Sequence, residues 1–463
     1  MSIGAVVMAA GQGTRMKSAL PKVLHEIAGR PLVGWVLDAL SGVRVEHTVV
    51  VVGHGAAAVR RALPDGCAVA VQREQRGTGH ATQVGLRALD RSCDTVIVLS
   101  GDTPLLERDL LRSLVRFHRR AGRAATLVSA VLDDAARYGR VIRDGSGVRI
   151  VEARDASAAE RAVCEINAGL YVFDRVALER ALRRVGRDNT QGEVYLPDAL
   201  PLLDGPIGVL VAPDPDVVLG VNSHAELAAC GSIVQDRLRE RLMIAGVSMP
   251  DPQAVYLDAD VSVGADTVLH PGTHLQGTTR IGAECVIGPN VVARDCTVGA
   301  RSQVLFAHMS DSRIGADCQI GPFAYLRPGV TVDDGGKIGT YVEVKNTRVG
   351  KKAKVPHLSY IGDADIGDGT NIGAGNITAN YDGFRKHRTT IGAGVKTGSD
   401  CVFVAPVSIG DKAMTAAGSI LTHDVPAGAL GIARARQQNL DGFTKRAEAK
   451  ARAAMKRDGK GTR

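Results

Sequence analysis

Aromatic residues make up only 3% of this 463-residue chain, and tryptophan occurs once. A composition so poor in rings suits a narrow interior filled by Val, Ile, Leu and Ala. The eight cysteines form no CxxC pair and have no metal-ligand spacing. No apolar run reaches about 18 residues, and the first residues, MSIGAVVMAAGQG, lack the pattern of a secretory signal. These absences predict a reduced, cytoplasmic protein without membrane insertion.

Positive charge is concentrated near the end of the chain. The net charge is +8, and much of the excess follows residue 444. The Ala-, Arg-, Lys- and Gly-rich stretch 441–463 therefore predicts a basic, disordered tail. Nucleic-acid binding is the alternative. Without the tail the chain is close to neutral, so we favour a solvated tail and expect no nucleic-acid partner.

The second half of the chain repeats in units of six residues. Between residues 255 and 425 an aliphatic residue followed by glycine keeps returning, as in Val263-Gly264 and Ile281-Gly282. These two pairs are 18 residues apart, which is three hexads. The period is not helical. It predicts a β-solenoid in which each hexad is one flat face and three faces make a triangular coil.

Short apolar runs alternate with helical patterns in residues 1–222. This alternation predicts an open, largely parallel α/β sheet, in which ligands bind at the carboxyl ends of the strands. Ser223 and Glu226 have capping-box spacing before an amphipathic stretch, which predicts a connecting helix over 223–246. The solenoid domain is then expected over 247–440. The predicted strands are Ile3–Met8, Thr48–Val52, Ala68–Val71, Thr95–Leu99 and Thr126–Val131.

A glycine-rich turn follows the first strand. Its sequence from Ala9 to Met16 is AAGQGTRM, and Lys22 comes shortly after it. The backbone N–H groups of such a turn can cradle phosphate oxygens, and Arg15 and Lys22 add positive charge. A plain tight turn with two surface cations is the alternative.

Asp102 follows the fourth strand, where a carboxylate can hold Mg²⁺ against phosphates or simply cap a helix.

Polar clusters interrupt the hexads. Arg327 and Lys345 are 18 residues apart, so we expect them to stack on one edge of adjacent coils, with position 363 next in the series. Two stacked cations form a plausible phosphate site. Residues 376–389, NITANYDGFRKHRT, have a composition that no hexad tolerates, which predicts a loop outside the solenoid. His357 lies near these clusters. A histidine taken alone is more often a surface or core residue than a catalytic base.

The order of motifs in the first half resembles that of the sugar-1-phosphate nucleotidyltransferases. The motifs are AAGQGTRM, PK, QREQRGTGHA, GDTPL, YGR, EINAG, QGEVY and GVN. With the repeats behind them, the chain resembles the bifunctional bacterial N-acetylglucosamine-1-phosphate uridyltransferase/glucosamine-1-phosphate N-acetyltransferases over nearly all residues up to about 440. Each motif alone is weak, but their joint order is highly specific. The resemblance implies a Rossmann-like α/β domain followed by a left-handed parallel β-helix.

The resemblance implies a uridyltransferase site in the α/β domain. Arg15 and Lys22 would act catalytically there on UTP and N-acetylglucosamine-1-phosphate, and Asp102 and Asn222 would share Mg²⁺. The implied substrate contacts are Ala9, Ala10, Gly11, Gly13, Lys22, Gln72, Gly77, Thr78, Ser100, Gly101, Asp102, Gly139, Glu152, Asn167 and Asn222.

Two positions depart from the pattern that this resemblance sets. Met8 stands where Leu is common, a volume-conserving change that should be silent. Ser100 stands where Tyr is common, so any contact that the ring makes is expected to be lost.

The resemblance also implies an acetyltransferase site on the β-helix. His357 would deprotonate the amine of glucosamine-1-phosphate as it attacks acetyl-CoA. A homotrimer with these sites between its subunits is implied, as is a product, UDP-N-acetylglucosamine, that serves peptidoglycan and lipopolysaccharide synthesis. The implied sugar-phosphate contacts are Arg327, Lys345, Tyr360, Asn371 and Lys386, and the implied acetyl-CoA contacts are Ala374, Asn380, Tyr381, Ser399, Ala417 and Arg434.

Two other functions fit the same outline. A single-activity sugar-1-phosphate nucleotidyltransferase could carry a purely structural solenoid, but such a solenoid has no reason to carry Arg327, Lys345 and His357 together. Some nucleotide-exchange subunits of translation initiation factors also pair this α/β fold with hexapeptide repeats. A protein of that kind is not an enzyme and could have lost Lys22 and Asp102. This chain has both residues, which argues against that alternative. The bifunctional enzyme is the favoured interpretation.

Overall fold

The chain forms two compact units in the computed structural model. The expected boundary at residue 246 lies inside the first unit. The described residues are 2–135, 138–144 and 147–459. The first unit comprises residues 1–281 and 292–295, and the second comprises residues 282–291 and 296–463.

A mixed, mostly parallel sheet forms the first part of the first unit, as the alternation predicts. The strands of this part are β1 Ser2–Ala9, β2 Glu26–Ile27, β3 Arg30–Pro31, β4 His47–Val52, β5 Cys67–Val71, β6 Cys93–Ser100, β7 Ala125–Val131, β8 Arg140–Asp144, β9 Gly147–Val151, β10 Glu165–Asp174 and β11 Ile207–Val211. β2 and β3 pair only with each other, in a separate two-stranded sheet. The main sheet has the order β11-β7-β10-β6-β1-β4-β5. β1 is parallel to β4 and β6, whereas β10 is antiparallel to β6 and β7. The carboxyl ends of β1 and β6 therefore lie side by side.

Helices cover both faces of this sheet. Successive residues of one strand point to opposite faces, so Val7 joins one buried apolar cluster and Val6 joins the other. The helices are α1 Leu32–Leu40, α2 Ala56–Ala62, α3 Thr78–Ala88, α4 Arg108–Arg119, α5 Ala158–Arg161, α6 Arg175–Leu182 and α7 His224–Ile244. Short 3-10 helices span Thr14–Met16, Lys22–Leu24, Pro197–Leu202, Pro215–Val218 and Pro252–Ala254.

The EINAG motif, residues 165–169, lies in a strand. It forms the start of β10, whose register against β7 shifts between Asn167 and Tyr171. Ile166 and Ala168 are buried while Asn167 is half-buried. This alternation is typical of a strand with one covered face.

α7 follows the spacing expected of an amphipathic helix. The Ser223 hydroxyl caps it by accepting from the backbone N–H of Glu226 at 3.3 Å. Cys230, Val234 and Leu238 are buried along one side. These contacts tie the helix into the first unit.

Short parallel strands make up the solenoid, and the prediction of a left-handed parallel β-helix is confirmed. They are β12 Val255–Leu257, β13 Ser262–Val263, β14 Val268–Leu269, β15 Thr273–Gln276, β16 Arg280–Ile281, β17 Val286–Ile287, β18 Val291–Arg294, β19 Thr297–Val298, β20 Gln303–Val304, β21 Ala307–Ser310, β22 Arg313–Ile314, β23 Gln319–Ile320, β24 Ala324–Leu326, β25 Thr331–Val332, β26 Lys337–Thr340, β27 Glu343–Lys345, β28 Arg348–Val349, β29 Lys354–His357, β30 Tyr360–Gly362, β31 Ala364–Ile366, β32 Ile377–Ala379, β33 Thr389–Ile391, β34 Val402–Val404, β35 Val407–Ile409, β36 Met414–Thr415, β37 Ile420–Leu421 and β38 Leu430–Gly431.

In the second unit, equivalent aliphatic residues of successive coils stack in register. Val332 pairs with Val349, Val349 with Ile366, and Ile366 with Ile391. All of these side chains are buried. The interior is therefore a column of Val and Ile, which explains how a fold poor in aromatic residues fills its core.

The coil between Ile366 and Ile391 contains a loop. Tyr381 and Lys386 form an antiparallel bridge, and the N–H of His387 donates to the carbonyl of Asn380 at 2.8 Å. The loop is closed on itself, and residues 381–386 are exposed.

The structure gives part of the basic stretch 441–463, which was expected to be disordered, the form of a helix. Helix α8 spans Phe443–Asp458, and its described side chains are exposed. Alanine, lysine, arginine and glutamate dominate this stretch, and all have high helix propensity. No helix in the described part of the chain is long and apolar enough to cross a membrane.

Candidate active sites

Two adjoining pockets open at the carboxyl ends of β1 and β6. The larger has a volume of about 600 Å³ and the smaller about 280 Å³, and Ser100 and Asp102 line both. Among the predicted contacts, the larger pocket is lined by Ala9, Ala10, Gly11, Gly13, Lys22, Gln72, Gly77 and Thr78, and the smaller by Arg15, Gly139, Glu152, Asn167 and Asn222. Gly101 contributes differently, because its N–H donates to the carbonyl of Met8 at 2.9 Å and joins the two strand ends.

Lys22 lies at the centre of a charge cluster shared by these pockets. Its Nζ contacts Oδ2 of Asp102 and donates to Oδ1 of Asn222 at 3.2 Å. Arg15 donates from Nη2 to the same oxygen of Asn222 at 2.9 Å. Burial by itself raises the pKa of Asp102, but the Lys22 ammonium and hydrogen bonds from Lys22 and Ser100 hold the pKa below its usual range. Asp102 is therefore ionised at neutral pH.

The residues present fit the predicted Mg²⁺. Oδ2 of Asp102 and Oδ1 of Asn222 converge on one cation, the Lys22 ammonium, so both oxygens already face a positive charge. Within the described ranges, no three His, Cys, Asp or Glu side chains cluster as metal ligands. Waters and phosphate oxygens would complete the coordination sphere, as is usual for Mg²⁺.

Two glycines of the larger pocket have backbone conformations that other residues avoid. Gly13 has φ +61°, and a Cβ added there would lie 2.7 Å from Cβ of Lys22. Gly77 has φ +98°, and an added Cβ would lie 2.6 Å from the carbonyl oxygen of Val194. Glycine at position 13 therefore lets Lys22 approach the turn. Glycine at position 77 lets the backbone of Val194 approach the pocket wall around Gly77.

The wall around Gly77 is held by side-chain hydrogen bonds. Nε2 of the buried Gln72 donates to the carbonyl of Gly77 at 3.2 Å. Thr78 Oγ1 accepts from the N–H of Leu196 at 3.0 Å. Its position at the first turn of α3 is thereby fixed, so the wall is preformed.

Gln75, for which no role was predicted, also lines the larger pocket. Its Nε2 donates to the carbonyl of Ala10 at 2.9 Å and so ties the Gln72–Gly77 segment to the glycine-rich turn. Gln75 belongs to the QREQRGTGHA motif, so the signal was present. Its contact lies far away along the chain and could not be read from spacing.

The smaller pocket contains a second carboxyl group, Glu152, whose pKa is raised, whereas the pKa of Asp102 is lowered. Burial raises the pKa of Glu152, and Asp198 and Asp155 add to the rise. Asn167 donates from Nδ2 to the hydroxyl of Tyr171 at 2.7 Å, which orients its amide. The pocket thus presents an oriented amide beside a carboxyl group that is a good hydrogen-bond acceptor for hydroxyls when ionised.

Ser100 contributes a bond that the sequence comparison did not anticipate. Its Oγ donates to Oδ1 of Asp102 at 2.6 Å, the oxygen that Lys22 does not contact. Both carboxylate oxygens of Asp102 are therefore engaged.

In the second unit, cations gather along one ladder. The N–H of Arg327 donates to the carbonyl of Val344 at 2.8 Å, which brings Arg327 beside Lys345 on the next coil. The Lys345 side chain contacts Lys386 and repels its ammonium group, and both effects lower the pKa of Lys386. Arg327 is paired with Glu343 at 3.0 Å. Lys345 and Lys386 thus form a pair of like charges, which an anion would stabilise.

Position 363 was expected to continue the stack of Arg327 and Lys345, and this prediction is wrong. Lys345 pairs with Gly362, so the next coil is 17 residues long and not 18. Asp363 consequently occupies the corner that follows the strand, with its N–H donating to the carbonyl of Lys345 at 3.0 Å.

His357 is exposed at the end of β29. Lys354 pairs with Asn371, and continuing this register brings Ala374 beside His357. The N–H of Gly375 donates to the carbonyl of His357 at 3.4 Å, which agrees with this register. Asn371 therefore lies on a different ladder from Lys345 and Tyr360, although the same role was predicted for all three.

The predicted acetyl-CoA contacts follow one edge of adjacent coils. The carbonyl of Ala374 accepts from the N–H of Asp400 at 2.7 Å, and the carbonyl of Ser399 accepts from the N–H of Gly418 at 2.8 Å. Ser399 and Ala417 are exposed. Arg434 is exposed after β38, next to Ala433, whose N–H donates to Oγ of Ser419 at 3.2 Å. Small side chains thus leave an open track along this edge.

The two remaining predicted acetyl-CoA contacts lie on the loop after β32. Asn380 is buried and donates from Nδ2 to Oδ2 of Asp363 at 2.5 Å. Tyr381 is exposed and donates from its hydroxyl to the carbonyl of Gly383 at 2.6 Å.

Comparison with known proteins covers both halves of the chain. The profile of the MobA-like NTP transferase domain matches residues 5–184, and that of the bacterial transferase hexapeptide (six repeats) matches residues 260–295 and 311–346. The Bifunctional protein GlmU of Streptomyces avermitilis is 47% identical over 451 residues, covering 95% of this chain and 94% of its own. The proteins of the same name from Heliobacterium modesticaldum and Brevibacillus brevis are 47% and 46% identical, covering 95% and 94% of this chain and 97% and 96% of their own.

The chain belongs to the GlmU family of bifunctional proteins. The predicted pairing of a nucleotidyltransferase domain with a hexapeptide transferase domain is confirmed. The interpretation as a single-activity enzyme with a structural solenoid is correspondingly disfavoured.

Proposed function

We propose that this GlmU-family chain makes UDP-N-acetylglucosamine in two steps at the two sites. Acetyl-CoA first acetylates the amine of glucosamine-1-phosphate on the β-helix. The product then displaces pyrophosphate from UTP in the α/β domain. The observation that carries the proposal is the pair of polar sites, one on each fold, in a chain that aligns along its length with bifunctional relatives.

Uridylyl transfer needs charge neutralisation more than a base. An oxygen of the sugar phosphate, already anionic, attacks the α-phosphorus of UTP, and the bond between the α-phosphorus and the bridging oxygen breaks to release pyrophosphate. Lys22 and Arg15, held together by Asn222, would stabilise the charge on the phosphates. Mg²⁺ bound by Asp102 and Asn222 would supply further positive charge. Glu152 and Asn167 would orient the sugar.

Acetyl transfer needs a base. The amine of glucosamine-1-phosphate attacks the thioester carbonyl, His357 accepts the proton that the nitrogen loses, and the carbon–sulfur bond breaks to give CoA. His357 is exposed, so a substrate amine can reach it, and imidazole is the side chain that most often acts as a general base. Lys345, Lys386 and Arg327 would bind the sugar phosphate.

A homotrimer with shared acetyltransferase sites is also part of the proposal. Asn371 and Lys345 lie on different ladders of one chain, which favours a site completed by a second copy. Phe323, Tyr341 and Leu358 form an exposed apolar row leading to His357, and such rows are typical of interfaces. Light scattering coupled to size-exclusion chromatography would test the trimer, and a monomer fully active at all concentrations would contradict it.

An omission assay tests the two activities together. Purified protein receives glucosamine-1-phosphate, acetyl-CoA, UTP and Mg²⁺, and each component is left out in turn. Release of CoA should need only the first two, and release of pyrophosphate should need all four, or the acetylated sugar phosphate with UTP and Mg²⁺. CoA release without the sugar phosphate, or pyrophosphate release without acetylation, would contradict the proposed sequence. Cytoplasmic location and a role in peptidoglycan and lipopolysaccharide synthesis follow from this product.

A further inference from the structure

Asp363 is a buried carboxylate at the edge of the acetyltransferase site. Its exposed fraction is 7%, although it lies at a corner of the solenoid. Oδ1 accepts from Nδ2 of Asn346 at 2.6 Å, and Oδ2 accepts from Nδ2 of Asn380 at 2.5 Å. From the sequence, position 363 was expected only as the next member of the cation stack.

The solenoid corner explains the backbone of Asp363 but not its side-chain contacts. Asp311, Asn346 and Asp363 each follow a strand of the same ladder and have left-handed backbones, with φ of 47°, 43° and 50°. Asn and Asp tolerate this conformation better than most residues. Asp311 is nevertheless exposed. The burial of Asp363 and its bond to Asn380 therefore need another explanation.

The surroundings of Asp363 link two groups of predicted substrate contacts. On one side Asn380 is among the residues predicted for acetyl-CoA. On the other, Lys345 and Lys386 are predicted for the sugar phosphate, and both act on the Asp363 carboxylate electrostatically. Tyr360 also acts on Lys386 electrostatically. Asp363 thus occupies the junction of the two binding regions.

We propose that Asp363 is a positioning residue, which fixes the Asn380 amide for acetyl-CoA and supplies the countercharge of the Lys345–Lys386 pair. The inference rests on the proposed acetyl transfer. Asp363 acts through Asn380 and touches neither substrate.

The charge state of Asp363 supports this role. Burial by itself raises its pKa, but the hydrogen bonds from Asn346 and Asn380 and the charges of Lys345 and Lys386 bring the pKa below its usual range. The carboxylate is therefore ionised at neutral pH, and its bonds to the two amides are charge-assisted. The negative charge of Asp363 also repels a phosphate bound at Lys345 and Lys386.

These two effects predict changes of opposite sign in Asp363→Asn. Asparagine keeps the left-handed backbone but can no longer accept from both amides, so Asn380 loses its orientation. The KM for acetyl-CoA should rise about tenfold, the loss expected for a hydrogen bond to a charged group. The KM for glucosamine-1-phosphate should stay unchanged or fall, because a negative charge beside its phosphate is removed. Asp311→Asn is the matched control, with the same substitution at an exposed corner, and both KM values should stay unchanged.

A second variant tests whether Asp363 acts through Asn380. Asn380→Ala should raise the KM for acetyl-CoA, and Asp363→Asn in that background should raise it no further. Additive effects, or an equal rise of both KM values in Asp363→Asn, would overturn the inference and indicate a general structural role. Unchanged KM values in Asp363→Asn would overturn it too. A wild-type enzyme without acetyl transfer would instead contradict the proposed function, so the two failures are distinguishable.

Discussion

The two candidate sites gather positive charge in different ways. In the α/β unit, Lys22, Asp102 and Asn222 come from segments up to 200 residues apart and meet at the carboxyl ends of strands. In the solenoid, Arg327 and Lys345 come from neighbouring coils and stack because each coil repeats the one before it. The first site is the product of non-local topology, and the second is the product of a local period.

The charges are balanced differently as well. Lys22 already contacts a carboxylate and an amide oxygen, so the α/β site is largely neutralised before any ligand arrives. Lys345 and Lys386 are instead like charges beside one another, and Asp363 is the nearby counter-ion. A ligand phosphate must therefore compete with Asp102 for Lys22 in one site, whereas it relieves repulsion in the other. The comparison implies that the two sites can be disabled separately.

Replacing Asp102 by alanine is the strongest test of that separation. The substitution removes the carboxylate expected to hold Mg²⁺ and leaves Lys22 without its partner. Pyrophosphate release should fall by at least about a thousandfold, while CoA release is retained. Asp109→Ala, an exposed carboxylate on α4, is the control. Loss of both activities in a folded Asp102→Ala protein would break the distinction between the sites.

Replacing His357 by alanine should have the reverse effect, and a somewhat smaller one. Loss of a general base typically costs about a hundred- to ten-thousandfold. CoA release should fall by that factor, and pyrophosphate release from the acetylated sugar phosphate should stay normal. His308→Ala removes an exposed histidine from the same solenoid and should change neither rate. Normal acetyl transfer in His357→Ala would exclude this histidine as the base.

How much could be read from the sequence also differs between the two regions. The hexads predict the solenoid well because each repeat is a local signal that recurs many times. They failed at Asp363 because the expectation assumed a constant coil of 18 residues, although Val349-Gly350 and Ile366-Gly367 are only 17 residues apart. The burial of this carboxylate could not be predicted, because it depends on Asn346 and Asn380, which the fold brings to it from elsewhere in the chain.

In the α/β unit, the motif order located the crevice, since loops after parallel strands meet at one edge of the sheet. The antiparallel insertion of β10 was missed, because strand partners are chosen by non-local pairing. The side-chain contacts of Gln75 and Ser100 were missed because they depend on distances between loops. Helix α8 in the tail was not predicted, because the expectation rested on net charge and not on helix propensity.

The lysine pair offers a pH test of the second site. The contact and charge of Lys345 lower the pKa of Lys386, while Asp363 and Tyr360 oppose the shift. A lysine binds phosphate in its protonated form, so affinity is lost as pH rises through this lowered pKa, below the value near 10.4 of an ordinary lysine. The inhibition constant of inorganic phosphate in acetyl transfer should therefore begin to rise at a lower pH than it would if Lys386 had the pKa of an ordinary lysine.

Lys345→Met removes the cause of the shift. Phosphate should then bind more weakly at all pH values, but the rise of its inhibition constant should move to higher pH. Lys351→Met, an exposed lysine elsewhere on the solenoid, is the control and should leave the curve in place. An identical pH dependence in Lys345→Met and wild type would contradict the coupling of the two ammonium groups.

The smallest expected effect sharpens the picture of the neutralised site. Ser100→Ala removes one hydrogen bond from Asp102 while the Lys22 contact remains, so kcat/KM for uridylyl transfer should fall only about three- to tenfold. The lost bond favours the ionised carboxylate, so the pKa of Asp102 should rise and the acid limb of the profile should move to higher pH. Ser129→Ala is a close control, since Ser129 Oγ donates to Oε1 of Glu165 at the same 2.6 Å but lines neither pocket. A drop as large as that of Asp102→Ala would mean that the serine, and not Lys22, holds the carboxylate in its working position.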